Sequence, residues 1–98
     1  MNRRIILRPE AENDVEGAVA WYSSERAALA LAFVTCLDQL LLRIQETPFQ
    51  FPKVATGVRR ALMARFPYGV FFSVIDNDVV VFGVLHLHRN PETWRSRA

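Results

Sequence analysis

The chain has 98 residues, 51% of them hydrophobic, and a formal net charge of +2 at pH 7. This length predicts one domain over residues 1–98, and so small a domain buries only about 60–65% of the surface of its unfolded chain. Apolar surface is therefore left over, which predicts a partner chain or, as the ordinary alternative, scattered exposed apolar side chains.

A single cysteine, Cys36, excludes an internal disulfide and a cysteine-rich metal site, and we expect it in the core. The apolar run near the N-terminus is too short for a signal peptide or a membrane span. We therefore expect a cytoplasmic protein with no membrane partner.

Charge is divided unevenly along the chain. Residues 10–46 carry seven acids against two bases, whereas residues 47–98 carry seven bases against three acids. Eleven of the twelve bases are arginines, whose guanidinium groups bind phosphate or carboxylate through paired hydrogen bonds. The basic half therefore predicts an acidic partner, which is either a nucleic acid or an acidic protein segment.

The first elements are a short strand and two helices. Residues 5–7 form the strand, and Pro9 begins a helix for which Arg8 offers no capping side chain. Apolar residues recur at helical spacing up to Tyr22, and the pair Ser23-Ser24 interrupts them. Residues 28–45 are rich in alanine and leucine and predict a second helix. Because the break is so short, the two helices are expected to form an antiparallel hairpin.

Three apolar runs follow, at residues 58–66, 68–75 and 79–87, and turn residues separate them. The second turn reads Asp76-Asn77-Asp78. This pattern predicts an antiparallel meander. The order β-α-α-β-β-β then predicts an α+β fold, in which the antiparallel two-helix hairpin packs on one face of a mainly antiparallel four-stranded sheet.

The last predicted strand is apolar on both faces. Strict alternation divides its side chains into two sets: Val79, Val81, Leu85 and Leu87 on one face and Val80, Phe82 and Val84 on the other. Strands of this kind are normally covered on both sides. The helical hairpin covers one face, so the other is covered by a partner chain, by the C-terminal tail or not at all.

Titratable, cationic and aromatic groups crowd together in residues 86–94. On a strand, His86 and His88 would share a face and offer two metal ligands, but no carboxylate or cysteine close in sequence completes a site. We therefore predict no metal and no cofactor. The ordinary interpretation of His86 is a neutral, hydrogen-bonded group at a strand end. His88, beside Arg89, also suits contact with a phosphate or a partner's carboxylate.

Further candidates lie among the basic residues of the predicted sheet. Arg59 and Arg65 are six residues apart on the first meander strand and would share a face, with Arg60 on the opposite one. Trp94 is either a lid packed on the sheet or an exposed stacking group. The residues predicted to bind a partner or target are Arg59, Arg60, Arg65, Tyr68, His88, Arg89, Trp94 and Arg95.

In its order of elements and motifs, the whole chain resembles the RelE/ParE superfamily of type II toxin–antitoxin toxins, and most closely the ParE-like branch of plasmid stabilisation proteins. The motifs are Arg8-Pro-Glu-Ala, Ala20-Trp-Tyr, Pro48-Phe-Gln-Phe-Pro52, Arg65-Phe-Pro-Tyr68, Asp76-Asn-Asp78 and the segment from His86 to Trp94. The resemblance implies a toxin that arrests growth until a cognate antitoxin wraps it in a hetero-oligomer. The antitoxin is expected to pack on the sheet and helices of the toxin.

Two mechanisms known in this superfamily bear on the target. The ribosome-dependent ribonucleases cleave mRNA with basic residues on the sheet and a C-terminal aromatic hydroxyl; for that activity the expected catalytic residues are Arg65, His86, His88 and Arg89. Here Gly69 replaces one of the basic residues, and Trp94 or Arg95 falls where the hydroxyl is expected. The ParE-like branch is associated with poisoning DNA gyrase by binding, without catalysis.

The sequence therefore favours gyrase poisoning over mRNA cleavage. A non-toxic small nucleic-acid-binding module is a further alternative, because the basic half of the chain alone would fit it.

Overall fold

The computed structural model describes residues 3–98. A strand leads into two helices, and a run of strands and a short helix follow. In chain order the elements are β1 (Ile5–Leu7), α1 (Pro9–Glu25), α2 (Ala27–Glu46), a 3-10 segment (Pro48–Gln50), β2 (Lys53–Ala55), β3 (Val58–Leu62), β4 (Tyr68–Ile75), β5 (Asp78–His86) and α3 (Glu92–Arg95). The predicted α+β plan is confirmed.

The sheet has five strands in the spatial order β1-β5-β4-β3-β2. β1 runs parallel to β5, and the other neighbours are antiparallel. The prediction gave four strands, and the addition is β2, which pairs Lys53 with Arg59 at the outer edge. This strand has three residues and follows Pro52, so no alternating pattern marks it in the sequence.

Both helices lie close to their predicted positions. Helix α1 starts at Pro9, and the side chain of Arg8 does not cap it, as predicted. The serine pair lies inside the helix, where the Ser24 hydroxyl donates to the carbonyl oxygen of Trp21 at 2.6 Å. Helix α2 extends one residue beyond the prediction at each end.

The main core lies between the helices and one face of the sheet. Phe33 of α2 is fully buried, and its ring centroid lies 5.2–5.4 Å from those of Tyr22, Phe66 and Tyr68. Edge-to-face and offset aromatic pairs at this spacing add about 0.5–1.5 kcal/mol each beyond the burial of their area. This cluster therefore fixes both helices against the start of β4.

A bulge in β5 changes which of its side chains share a face. In the ladder with β4 the register shifts between Phe71 and Phe72, and Phe82 is the extra residue. Val84 therefore lies on the helix side of the sheet, while Leu85 lies on the other face with Phe82. Strict alternation predicted the reverse for Val84 and Leu85, and that prediction is wrong because the inserted residue inverts the alternation.

The C-terminal tail covers the second face of the sheet. Trp94 is only 8% exposed, and its ring stacks on Phe71 with centroids 5.2 Å apart and planes at 16°. Val58, Phe82 and Leu85 complete this smaller apolar cluster. Trp94 is therefore a lid packed on the sheet and not an exposed stacking group. The C-terminal tail, and not a partner chain, covers this part of the outer face.

Arg97 fastens the tail to the edge of β5 that lies beyond the end of β1, where β5 is paired with β4 on its other side only. Pairing with β1 ends at Val81. Beyond it, the Val84 N–H donates to Asp14 Oδ2 at 3.0 Å, and Arg97 Nη1 donates to the Phe82 carbonyl oxygen at 3.1 Å. Arg97 also donates to both carboxylate oxygens of Asp14, at 2.6 and 3.2 Å. These two side chains satisfy backbone groups that a longer β1 would have paired.

Helix α2 is long and apolar enough to cross a membrane, judged by length and composition alone. Core helices of soluble proteins pass the same test, and the buried side chains of α2 contribute to the core. The helix is therefore only weak support for a membrane location, and the cytoplasmic location stays a prediction.

Candidate functional site

An apolar groove follows the outer side of α2 where the helix faces the turn between β3 and β4. We call it the α2 groove. It has a volume of about 450 Å³, and Cys36, Gln39 and Ala64 also line an adjoining pocket of about 110 Å³. The lining residues of the larger part are Ala28, Leu31, Ala32, Thr35, Cys36, Gln39, Ala64 and Arg65. Arg65 lines the larger part and Arg43 the smaller, so a guanidinium is available in each.

Large apolar side chains are exposed in and beside this groove. Leu31 and Leu62, which line it, are 69% and 52% exposed, and Leu42 of the same helix is 58% exposed. Full burial of a leucine side chain is worth about 1.5–3 kcal/mol. The expected exposed apolar surface is therefore present, and part of it lies at this groove. Among the described residues, the other large exposed apolar side chains are distributed over the rest of the chain: Ile6, Trp21, Phe49, Ile75 and Leu87.

A second concave surface, the polar cleft, lies between α1 and the edge of the sheet where β4 begins and β5 ends. Its volume is about 210 Å³. Its lining residues are Asn13, Asp14, Gly17, Ala18, Tyr68, Val84, His86 and Arg89. Tyr68 and His86 are paired across the ladder, which places the two side chains on the same face of neighbouring strands.

The contacts of Tyr68 and His86 determine which of their atoms can donate a hydrogen bond. The rings of Tyr68 and His86 meet edge to face at 5.3 Å, and the His88 backbone N–H donates to His86 Nδ1 at 3.1 Å. Because Nδ1 accepts this bond, the proton of the neutral ring lies on Nε2. Burial raises the pKa of Tyr68, and the neighbouring Arg89 only partly opposes this. The phenol is therefore protonated at neutral pH and is a donor.

The cleft is thus equipped to bind an anion more than to transfer a proton. Its Tyr68 hydroxyl, His86 Nε2–H and Arg89 guanidinium are donors, and Arg89 forms no ion pair within residues 3–98. The carboxylate that would serve as a general base, Asp14, already accepts bonds from Arg97 at both oxygens.

The predicted site residues divide among separate places. Tyr68, His86 and Arg89 line the polar cleft, and the ring of His88 meets that of His86 at 5.2 Å. Within the described residues 3–98, no group of three or more His, Cys, Asp or Glu side chains is placed to hold a metal ion. The tail holds the other C-terminal candidate, Arg95, whose guanidinium lies 5.2 Å from the Trp94 ring.

The three predicted arginines of the first meander strand also separate. Strand β3 ends at Leu62, so Arg65 lies in the following turn, with its guanidinium 5.8 Å from the Phe66 ring. The prediction that Arg59 and Arg65 share a strand face is wrong, because the chain leaves the sheet between them. Arg60 lies on the outer face beside Gly69. A Cβ atom added at position 69 would lie 3.3 Å from the side-chain carbons Cγ and Cδ of Arg60.

Sequence reasoning missed the pair formed by Asp14 and Arg97. The two residues are 83 positions apart, and no local pattern joins them. One signal was available: Asp14 stands three residues after Ala11 and four before Ala18, both of them buried. A carboxylate on the apolar stripe of a helix needs a partner, and this could have marked it.

A family model described as "ParE toxin of type II toxin-antitoxin system, parDE" matches residues 5–91. Among solved structures, a chain described as "Chromosomal ParDE TA system from P. aeruginosa" matches with a TM-score of 0.76 and 18% sequence identity, over 86% of this chain and 95% of that chain. At this identity the likeness shows the fold. No curated protein matches the chain.

Proposed function

Because the chain belongs to the ParE toxin family of type II toxin–antitoxin systems, we propose that it inhibits growth and that a cognate antitoxin neutralises it by occupying the α2 groove. The family match over residues 5–91 carries the first part of this proposal. The exposed apolar residues of α2 support the second.

The groove indicates what the antitoxin must present. Its apolar lining suits a segment with leucine-like side chains on one face, and the guanidiniums of Arg43 and Arg65 suit acidic residues on that segment. The outer face of the sheet offers less, because Trp94 of the tail already covers Phe71 there. A helix or extended segment of mixed apolar and acidic character is therefore the expected occupant.

A matched pair of variants tests the groove. Leu31→Glu places a charge in the groove, and Ile75→Glu places the same charge at the end of β4, where the side chain is 48% exposed. We expect both variants to inhibit growth when expressed alone. Co-expression of a cognate antitoxin should rescue cells that express Ile75→Glu but not Leu31→Glu. Equal rescue of both variants would contradict docking in the groove, without affecting the toxin proposal itself.

We propose DNA gyrase as the target, in keeping with the ParE family. The alternative of mRNA cleavage draws on four residues, Arg65, His86, His88 and Arg89. Of these, Arg65 lines the α2 groove, while the others lie at or beside the polar cleft. In addition Trp94 is buried against Phe71 and carries no hydroxyl. This separation argues against a single catalytic centre.

Two assays on the purified chain distinguish these targets. In the first, supercoiling by purified gyrase should fall as the chain is added, and antitoxin should restore it. In the second, primer extension on translated mRNA should give no new cleavage products. Cleavage products together with unaffected gyrase would replace the gyrase proposal with the ribonuclease one. Harmless expression with neither effect would favour the non-toxic nucleic-acid-binding module.

A further inference from the structure

A patch of cations surrounds an exposed aromatic ring at the end of α2. Phe49, in the 3-10 segment, is 60% exposed. The guanidiniums of Arg3 and Arg59 lie 5.7 and 5.2 Å from its ring centroid, and that of Arg43 lies 5.5 Å from the neighbouring Phe51 ring. We call this the Phe49 patch.

Two cations of the Phe49 patch, Arg3 and Arg59, are held in place by backbone carbonyl oxygens. Arg59 Nη1 donates to the carbonyl oxygens of Phe49 and Phe51 at 3.3 and 2.7 Å. Arg3 Nη1 donates to the last two carbonyl oxygens of α2 at 3.3 and 3.1 Å. Each guanidinium has five N–H donors, so further donors remain on both. A fourth cation, Lys53, pairs with Arg59 in the β2–β3 ladder.

Structural roles account for part of this arrangement. Arg3 and Arg43 lie near the C-terminus of α2, where positive charge offsets the helix dipole. That role explains neither the exposed ring nor the position of Arg59, which lies on a strand. Within residues 3–98, none of the four cations forms an ion pair with a carboxylate, although three other arginines do. The positive charge of the patch is therefore free for an external partner.

We propose that the Phe49 patch binds single-stranded nucleic acid. Proteins that bind single-stranded nucleic acid combine cations along the phosphate backbone with flat side chains on which the bases stack. Here the open area of Phe49 and the outer faces of the guanidiniums are the flat groups, because arginine planes also stack on bases. A double helix hides the faces of its bases, and an acidic peptide would use the charges without needing the ring. The inference is independent of growth inhibition.

Fluorescence anisotropy of labelled oligo(dT) and oligo(rU), titrated with the full chain at low salt, tests this proposal. Stacking is worth about 1–3 kcal/mol per base, so Phe49→Ala should weaken binding roughly 5- to 150-fold. Trp21→Ala is the matched control: Trp21 is 62% exposed on acidic helix α1 and none of the described arginines lies over its ring, so affinity should not change. Binding of either DNA or RNA supports the proposal.

A charge variant supplies the second measurement. Arg59→Gln should reduce the slope of log affinity against log salt by about 0.7, whereas Arg59→Lys should retain the slope. The proposal is overturned if Phe49→Ala binds as the unmodified chain does, or if Trp21→Ala loses as much affinity. It is also overturned if poly(glutamate) binds with the same dependence on Arg59 and no oligonucleotide binds, since the partner would then be an acidic protein.

Discussion

Replacing Arg97 by glutamine should release the C-terminal tail from the sheet. The variant loses both bonds to Asp14 and the bond to the Phe82 carbonyl oxygen. It leaves the Asp14 carboxylate with the Val84 N–H as its remaining donor in the structure. An ionised group buried without its partner is costly because water no longer solvates it.

The size of the effect follows from how buried the pair is. Breaking a fully buried ion pair from one side costs about 3–5 kcal/mol. Here the side chains of Arg97 and Asp14 retain 17% and 9% exposure, and a terminal tail can move to admit water. We therefore expect a loss of about 2–3 kcal/mol, which for a domain of this size lowers the melting temperature by roughly 8–24 °C.

Urea denaturation followed by tryptophan fluorescence measures this loss, with Asp14→Asn and the double variant completing a cycle. The coupling energy should be about 2 kcal/mol. Arg95→Gln is the control, because Arg95 pairs with Glu92 at 3.4 Å on the exposed surface, where such pairs are worth about 0–1 kcal/mol. If Arg97→Gln proved no less stable than Arg95→Gln, or if the two losses in the cycle were additive, the tail would not be held by this pair.

Three further predictions concern other parts of the fold. Trp94→Ala should cost about 3–5 kcal/mol and abolish the near-UV circular dichroism of the ring stack, whereas a loss below about 1 kcal/mol would mean that Trp94 is not a lid. Arg4 holds the pKa of Asp78 below its ordinary 3.8, so the free energy of unfolding decreases as the pH falls through the lowered pKa. In Asp78→Asn this decrease at acid pH should be smaller, and an unchanged dependence of the unfolding free energy on acid pH would refute the pairing. Burial raises the pKa values of Tyr22 and Tyr68 above 10.0, so the free energy of unfolding should fall as the pH rises past 10. Tyrosinate absorbance measures the two pKa values, and a value below 10.0 for either group in the folded chain would contradict this prediction.

Local signals in the sequence were enough to place most of the fold. Pro9 and the alanine- and leucine-rich run of α2 gave the helices, and the turn at Asp76 and Asn77, with φ of 50° and 70°, gave the meander. Aspartate and asparagine tolerate this left-handed conformation better than other non-glycine residues do, which is why such a turn can be read from residue types alone.

Other features depend on contacts that no local pattern encodes. The bulge at Phe82 is set by the pairing of β4 with β5, and it reversed the predicted faces of Val84 and Leu85. The closeness of Tyr68 and His86 follows from the same pairing. Strand β2 exists only because β3 offers it an edge, since three residues cannot form a strand alone.

The candidate site, too, was predicted from the sequence only in part. The residue types of 86–94 marked one end of the sheet as chemically distinctive, and three of the predicted residues do line the polar cleft. Of the α2 groove, the sequence anticipated Arg65 as a partner-binding residue and surplus apolar surface without a location. Its position depends on which side of α2 the sheet leaves uncovered, and this is a property of the packed structure.

Growth after induction tests the central claim most directly. Cells that express the chain alone should stop dividing, and cells that also express a cognate antitoxin should form colonies at the normal frequency. Undiminished colony formation with the chain alone, at a level of soluble folded protein confirmed by immunoblot, would contradict the proposed toxin function.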